Sequence, residues 1–155
     1  MSQENVEIVR RFYQAGQRSL EAYWKNPRSG AAALEAGDLD PETEAVLAFL
    51  HPEVEYSGVP SPLEGGIAHG HLGWLEAWDA YLGASEDTRM TIDELVDLGG
   101  DEVLAVGELT VRWKGSGMTL TEPRFAVGVL REGLIVRLSV YRDRQEALDA
   151  ARLGD

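Results

Sequence analysis

The stretch Arg124–Leu153, RFAVGVLREGLIVRLSVYRDRQEALDAARL, reads as a strand, a tight turn, a second strand and a closing helix. Leu120, Ala126, Gly128 and Leu130 share one parity and Phe125, Val127 and Val129 the other. Arg131-Glu132-Gly133 interrupts the alternation before Leu134 restarts it, which is the pattern of a hairpin. Beyond Tyr141, Asp143 stands where a side chain can cap the following helix, and Glu146 three residues later can complete a capping box.

Working upstream, Met90, Ile92, Val96 and Leu98 alternate as far as Gly99-Gly100-Asp101, and Val103, Ala105, Gly107, Leu109, Val111 and Trp113 as far as Gly115-Ser116-Gly117. With the opening stretch they make a four-stranded antiparallel meander. Ahead of it the period lengthens. Val6, Val9, Phe12, Tyr13, Gly16 and Leu20 recur at helical spacing, as do Leu72, Leu75, Trp78, Tyr81 and Leu82 from His71 to about Gly83. Between them Asp40-Pro41 opens a helix with a cap and a proline at its first position, and Ala45, Val46, Phe49 and Leu50 form its apolar face until His51-Pro52. A short strand is expected at Val54-Glu55-Tyr56, followed by a loop through GVPSPLEGGIAHG, whose prolines and glycines oppose regular structure. Ser19 to Gly37, with Tyr23 and Trp24, Asn26-Pro27 and Ser29-Gly30, is expected to hold short helical pieces around a turn. Helices on one face of such a sheet define an α+β fold: a cone-shaped, curved, mostly antiparallel sheet packed on three N-terminal helices, with a short C-terminal helix.

Composition narrows the function classes. A chain of 155 residues is most simply one domain, 1–155. The net charge of −13, with lysine only at 25 and 114, opposes nucleic acid and anionic membrane as partners. No apolar run approaches the roughly 20 residues of a membrane span, and the polar start lacks a signal pattern, so the cytoplasm is the expected compartment. Absence of cysteine removes disulfides and thiol chemistry. Neither a phosphate loop, a dinucleotide fingerprint nor a Gly-x-Ser-x-Gly elbow is present, and no cofactor is expected.

Four segments together resemble the SnoaL-like branch of the nuclear transport factor 2-like superfamily: SQENVEIVRRFYQA at the start, GDLD leading to LAFLHPEVEY, GHLGWLEAW, and LREGLIVRLSVYRDRQEAL. They occur in the family's order along nearly the whole chain. The resemblance implies a pocket within the cone and a homodimer formed through the sheet. One departure is the segment of about 18–36 inserted between the first and second helices. It is expected to pack Tyr23 and Trp24 outside the cone, the alternative being a cover over the pocket mouth.

The superfamily includes ketosteroid isomerases, which need a carboxylate base and acidic groups to stabilise a dienolate. Against that set the resemblance aligns Phe12 with the tyrosine, Ser57 with the base and Ala126 with the acid, so this chemistry is not expected; a slip of one residue would bring Tyr13 or Glu55 into play. Other relatives use an aspartate, sometimes with an arginine. Here the best polar pair is Glu122 and Arg124, on the parity of Ala126, able to hold a polar substrate atom or to form a salt bridge near the strand entrance. Glu108 and Arg112 fall on the other parity. His71 is the third catalytic candidate, with turn packing as the competing role. His69-x-His71 has the spacing of a metal pair on a strand, but it lies in a loop entering a helix, with only Glu64 or His51 as further ligands, so no metal is expected. Tyr56, Trp74, Trp78, Trp113, Arg124 and Tyr141 are the expected ligand-binding residues.

These residues suggest a binder of a hydrophobic or mixed-polarity small molecule. The alternatives are a cofactor-independent cyclase, hydrolase or isomerase acting on a polyketide- or steroid-like substrate, and a dimeric interaction module with an inert cone.

Overall fold

A computed structural model describes residues 2–58 and 66–153. Helix α1 spans Ser2–Lys25 and buries Val9, Phe12, Tyr13, Ala15 and Leu20 along one stripe. It therefore runs on through the start of the inserted segment, where separate short helices were expected. Glu4 in its first turn and Lys25 in its last complement the helix dipole. After a turn at Asn26, Ser29 caps α2 (Gly30–Ala36), its side chain accepting from the Ala32 amide, and Gly37 at φ 70° ends the helix in the left-handed region.

Helix α3 (Pro41–Leu47) starts as read: Asp40 accepts from the Thr43 amide at 3.0 Å, and Pro41 occupies the first turn. It stops earlier than the expected His51-Pro52. The Phe49 carbonyl accepts from the Ile135 amide at 2.9 Å, and strand β1 (Leu50–Gly58) is already paired with the C-terminal strand. Pairing to a buried neighbour overrides the helical pattern of Phe49 and Leu50. Pro52 is tolerated because the β1 register is irregular between Leu50 and Glu55. The expected loop also contains a strand, β2 (Ile67–His69), antiparallel to β1 with Glu55 opposite His69.

Helix α4 (Gly70–Gly83) buries Trp74, Leu75, Ala77, Tyr81 and Leu82, whereas Leu72 remains exposed. The meander follows as β3 (Ser85–Gly99), β4 (Glu102–Trp113), β5 (Thr119–Arg131) and β6 (Leu134–Tyr141), and α5 (Arg144–Leu153) closes the described chain. Strand β3 begins ahead of Met90 because Ser85 and Thr88, both polar and both fully buried, satisfy each other at 2.9 Å. The six strands run β2-β1-β6-β5-β4-β3; only β1 and β6 pair in parallel, so the sheet is mixed and curled but not closed. Glu132 and Gly133 both adopt positive φ at the β5–β6 turn, and the Asp143 carboxylate accepts from the Gln145 and Glu146 amides at 2.7 and 3.1 Å, as the C-terminal pattern predicts.

One parity assignment needs correction. Met90 and Ile92 pack into the main core, but Val96 and Leu98 pack on the opposite face with Leu104, Val127 and α5. The register with β4 slips between Ile92 and Glu94, so Asp93 is an extra residue and every later side chain changes face. Gly107 opposes this bulge, and a Cβ there would lie 2.0 Å from the Thr91 carbonyl oxygen, which excludes any larger residue. The main core thus fills the space between α1, α3, α4 and the inner sheet face, while α5 covers part of the outer face. Burying each leucine, valine or phenylalanine there contributes roughly 1.5–3 kcal/mol.

Candidate functional site

The inner core is not completely filled. A cavity of about 300 Å³ opens among α1, α3, α4 and the inner sheet face. Phe12, Tyr13, Tyr56, Trp74 and Trp78 supply its aromatic lining, Met90, Ile92, Leu109, Leu138 and Val140 its aliphatic one. The rings contact one another in a chain: Phe12 to Trp74 at 5.8 Å between centroids, Trp74 to Tyr56 at 4.6 Å, Trp74 to Trp78 at 6.2 Å and Trp78 to Tyr81 at 5.8 Å. Such edge and tilted contacts hold aromatic walls in fixed orientation.

Arg124 is the cation of this wall. Its side chain is 15% exposed, and its Nη1 donates to Glu122 Oε2 at 3.1 Å and to the Pro123 carbonyl at 2.9 Å. The pair expected on parity therefore forms, but its members differ: Arg124 lines the cavity, whereas Glu122 is 48% exposed and lies outside the lining. Arg124 Nε and Trp78 Nε1 are both buried with no acceptor among the described residues. Burial pushes the Tyr56 and Tyr13 phenols far above their ordinary range, and Tyr81 up to about 12, while the Arg124 charge pulls Tyr56 and Tyr81 the other way.

Four of the six expected ligand-binding residues, Tyr56, Trp74, Trp78 and Arg124, line the cavity. Trp113 and Tyr141 do not. Trp113 meets Tyr81 edge to face, 4.9 Å between centroids, in a satellite cluster with Leu109 and Val111 at the end of β4. Tyr141, opposite Phe125, faces the outer side of the sheet, packs against the Leu104, Val127 and Ala147 cluster, and borders a separate polar groove of about 740 Å³. Of the catalytic candidates, His71 is also displaced: Nε2 donates to the Leu50 carbonyl at 2.9 Å, tying the start of α4 to the start of β1. His51 Nδ1 accepts from the Glu53 amide, and among the described residues no three His, Asp or Glu side chains converge on a metal site. Glu64 lies outside the described residues.

The residues aligned with an isomerase set are placed as follows. Phe12 and Ala126 line the cavity and carry no ionisable group. Ser57 bonds Ser139 at 3.3 Å, and Glu55 pairs with Arg137 at 3.4 Å beside the outer groove, because both side chains alternate away from the inward-facing Tyr56. Glu108 and Arg112 are both exposed; Glu108 borders the cavity, whereas Arg112 does not line it.

The inserted segment reaches the cavity itself. Ser19, Leu20, Tyr23, Asn26 and Arg28 line it, while Trp24, one residue on, turns to β3 and donates from Nε1 to the Thr88 carbonyl at 3.1 Å. Tyr23 thus takes an inner position where an outer one was expected, and Trp24 keeps the outer one. The segment is anchored by Asp79 of α4, which also lines the cavity. Its carboxylate accepts from Ser29 Oγ at 2.7 Å and from the Gly30 and Ala31 amides at 2.8 and 3.0 Å. Asp40, also in the lining, is similarly occupied by the Thr43 amide and hydroxyl. Neither aspartate is singled out as a cavity residue by sequence. Asp40 has a local capping signal, but Asp79 is about 50 residues from its partners and leaves none.

Comparison with known proteins agrees with this fold. Three solved structures share the fold: an NTF2-like protein of unknown function from Burkholderia pseudomallei (21% identity, 94% of this chain and 95% of that one, TM-score 0.63), a candidate SnoaL-like polyketide cyclase from Jannaschia sp. CCS1 (15%, 96% and 92%, TM-score 0.65), and TerC co-crystallised with polyporic acid (22%, 78% and 91%, TM-score 0.56). Among curated proteins no sequence match is found. The family model of the SnoaL-like domain matches residues 28–138, most of the length from the capped turn before α2 to the middle of β6, and the chain accordingly belongs to the SnoaL-like domain family of the NTF2-like superfamily.

Proposed function

We propose that the protein binds a small hydrophobic or mixed-polarity molecule inside the cone. The observation that carries this reading is the cavity of about 300 Å³, walled by Phe12, Tyr56, Trp74 and Trp78 and left unfilled in an otherwise packed core. A volume at the lower end of the usual range for ligand pockets suits a molecule of a few fused or linked rings. The cavity also argues against an inert cone.

Arg124 favours a second reading, that of a cofactor-independent cyclase, hydrolase or isomerase. A guanidinium held by Glu122, sharing the cavity lining with the Tyr56 phenol that burial keeps protonated, can polarise a carbonyl or stabilise an enolate. The candidate polyketide cyclase from Jannaschia and TerC with polyporic acid are consistent with either reading. A homodimer is proposed through the outer sheet face, where beyond α5 the Thr110 and Thr121 hydroxyls pair at 2.9 Å at the surface.

Native mass spectrometry of protein purified without denaturation tests both points. The expected spectrum is a dimer carrying a retained small-molecule mass. Monomer alone would remove the dimer. An unliganded spectrum, with no binding from a broad panel of aromatic compounds, would remove the binding function.

A further inference from the structure

We propose that the cavity selects a flat conjugated molecule bearing an anionic oxygen, a carboxylate, phenolate or enolate, which accepts hydrogen bonds from Trp78 Nε1 and Arg124 Nε. This rests on the binding reading above and goes further by naming the ligand's chemistry. Two observations carry it. Both side chains line the cavity, and both donors are buried with no acceptor among the described residues. Buried donors normally have partners, and a charged donor without one is the costliest case, so the arrangement is complementary to an acceptor that enters from outside the chain.

The surroundings point to one locus. Trp78 contacts Tyr81 at 5.8 Å and Trp74 at 6.2 Å and packs with Leu109, whose partner across the β4–β5 ladder is Glu122, the residue bonded to Arg124. The two donors thus belong to one neighbourhood of the lining. Glu122 and the Pro123 carbonyl engage Arg124 through Nη1, orienting the guanidinium without using Nε. Among the described residues four carboxylates line the cavity: those of Asp79 and Asp40 are committed to the starts of α2 and α3, Glu108 is exposed to solvent, and Glu42 stands half-buried in the first turn of α3. An anionic oxygen is favoured over a neutral one because a charge-assisted bond to Arg124 is stronger and the donor carries full charge. The flat ring follows from the tilted indole and phenol walls.

Naphthalene and 2-naphthoate differ only by the carboxylate and are the probes. Calorimetric titration of the full chain should show naphthoate binding about tenfold or more tighter than naphthalene. Trp78→Phe and Arg124→Met should each erase most of that preference, read as the ratio of the two affinities, whatever each does to the affinity for naphthalene itself. Because Arg124 also holds Glu122, Trp78→Phe is the independent test, supported by NMR: of the four tryptophan indole resonances, that of Trp78, assigned by its loss in the variant, should move with naphthoate and stay with naphthalene. Equal affinity for the two probes, or a preference that survives Trp78→Phe, overturns the proposal and leaves the binding function standing. If neither probe binds, this proposal falls, while the binding function is decided separately by the native spectrum and the broad aromatic panel.

Discussion

The cavity has a wall and a roof, and they are made differently. The wall is β4, β5 and β6, where continuous ladders pair neighbouring strands and alternate residues such as Ala105, Ala126, Leu138 and Val140 face inward. The roof is the end of α1, the turn at 26–29, and α2. It is tied down by a few side chains: Asp79 to the start of α2, Ser19 to Thr43 at 3.2 Å, and Arg28 to Asp38. A wall of ladders opens only when the sheet opens, whereas a roof on polar latches can lift alone. The difference separates the two jobs of the site: the wall sets which groups meet a ligand, and the roof sets how readily it enters.

The largest expected effect concerns the phenols packed against the wall. The folded chain keeps Tyr13, Tyr56 and Tyr81 protonated beyond the ordinary phenol range, chiefly through burial. An unfolded chain releases those protons near pH 10, so stability is fully present below about pH 10. As pH climbs past that point it falls, by on the order of 1.4 kcal/mol per pH unit for each phenol. Urea midpoints measured up the alkaline range, with tyrosinate absorbance followed in parallel, should show these three ionising together with loss of the fold. Their ionisation in a still-folded protein would break the picture of a wall that cannot open piecemeal. Next in size is Gly107→Ala. With the Thr91 carbonyl oxygen 2.0 Å from the new Cβ, the strands must separate at the bulge, at a cost of about 3 kcal/mol in chemical denaturation.

Sequence reading succeeds where the signal is local and periodic. The β5–β6 hairpin, its Glu132-Gly133 turn and the Asp143 cap are each encoded within a few residues, and the inward parity of Arg124 and Ala126 follows directly. It fails where a distant partner decides. Phe49 and Leu50 look helical until β6 captures them, and Tyr141 looks available until its parity relative to Phe125 sends it outward. Asp93 flips the end of β3, yet nothing in its identity announces a bulge. The roof is the extreme case. Asp79 sits in a helix whose apolar face is legible apart from Leu72, but its role as acceptor for the first amides of α2 depends on a contact across the fold. The orphan donors Trp78 Nε1 and Arg124 Nε are likewise defined by what three dimensions fail to bring to them.

The smaller predictions concern the roof and sharpen the contrast from its side. Asp79→Ala removes all three bonds to the start of α2 and should cost up to about 2 kcal/mol. Its diagnostic consequence is spatial: hydrogen exchange should accelerate across Gly30–Ala36 while the β4–β5 amides keep their protection. Equal loss of protection in both regions would mean that roof and wall unfold as one unit. Ser29→Ala should do less, about 1 kcal/mol. The serine both caps Ala32 and donates to Asp79, but in its absence the Asp79 carboxylate still accepts from the Gly30 and Ala31 amides. The roof then loosens without detaching, so ligand association should speed up while the preference between matched ligands stays unchanged. A shifted preference in Ser29→Ala would show that the roof, as well as the wall, reads the ligand.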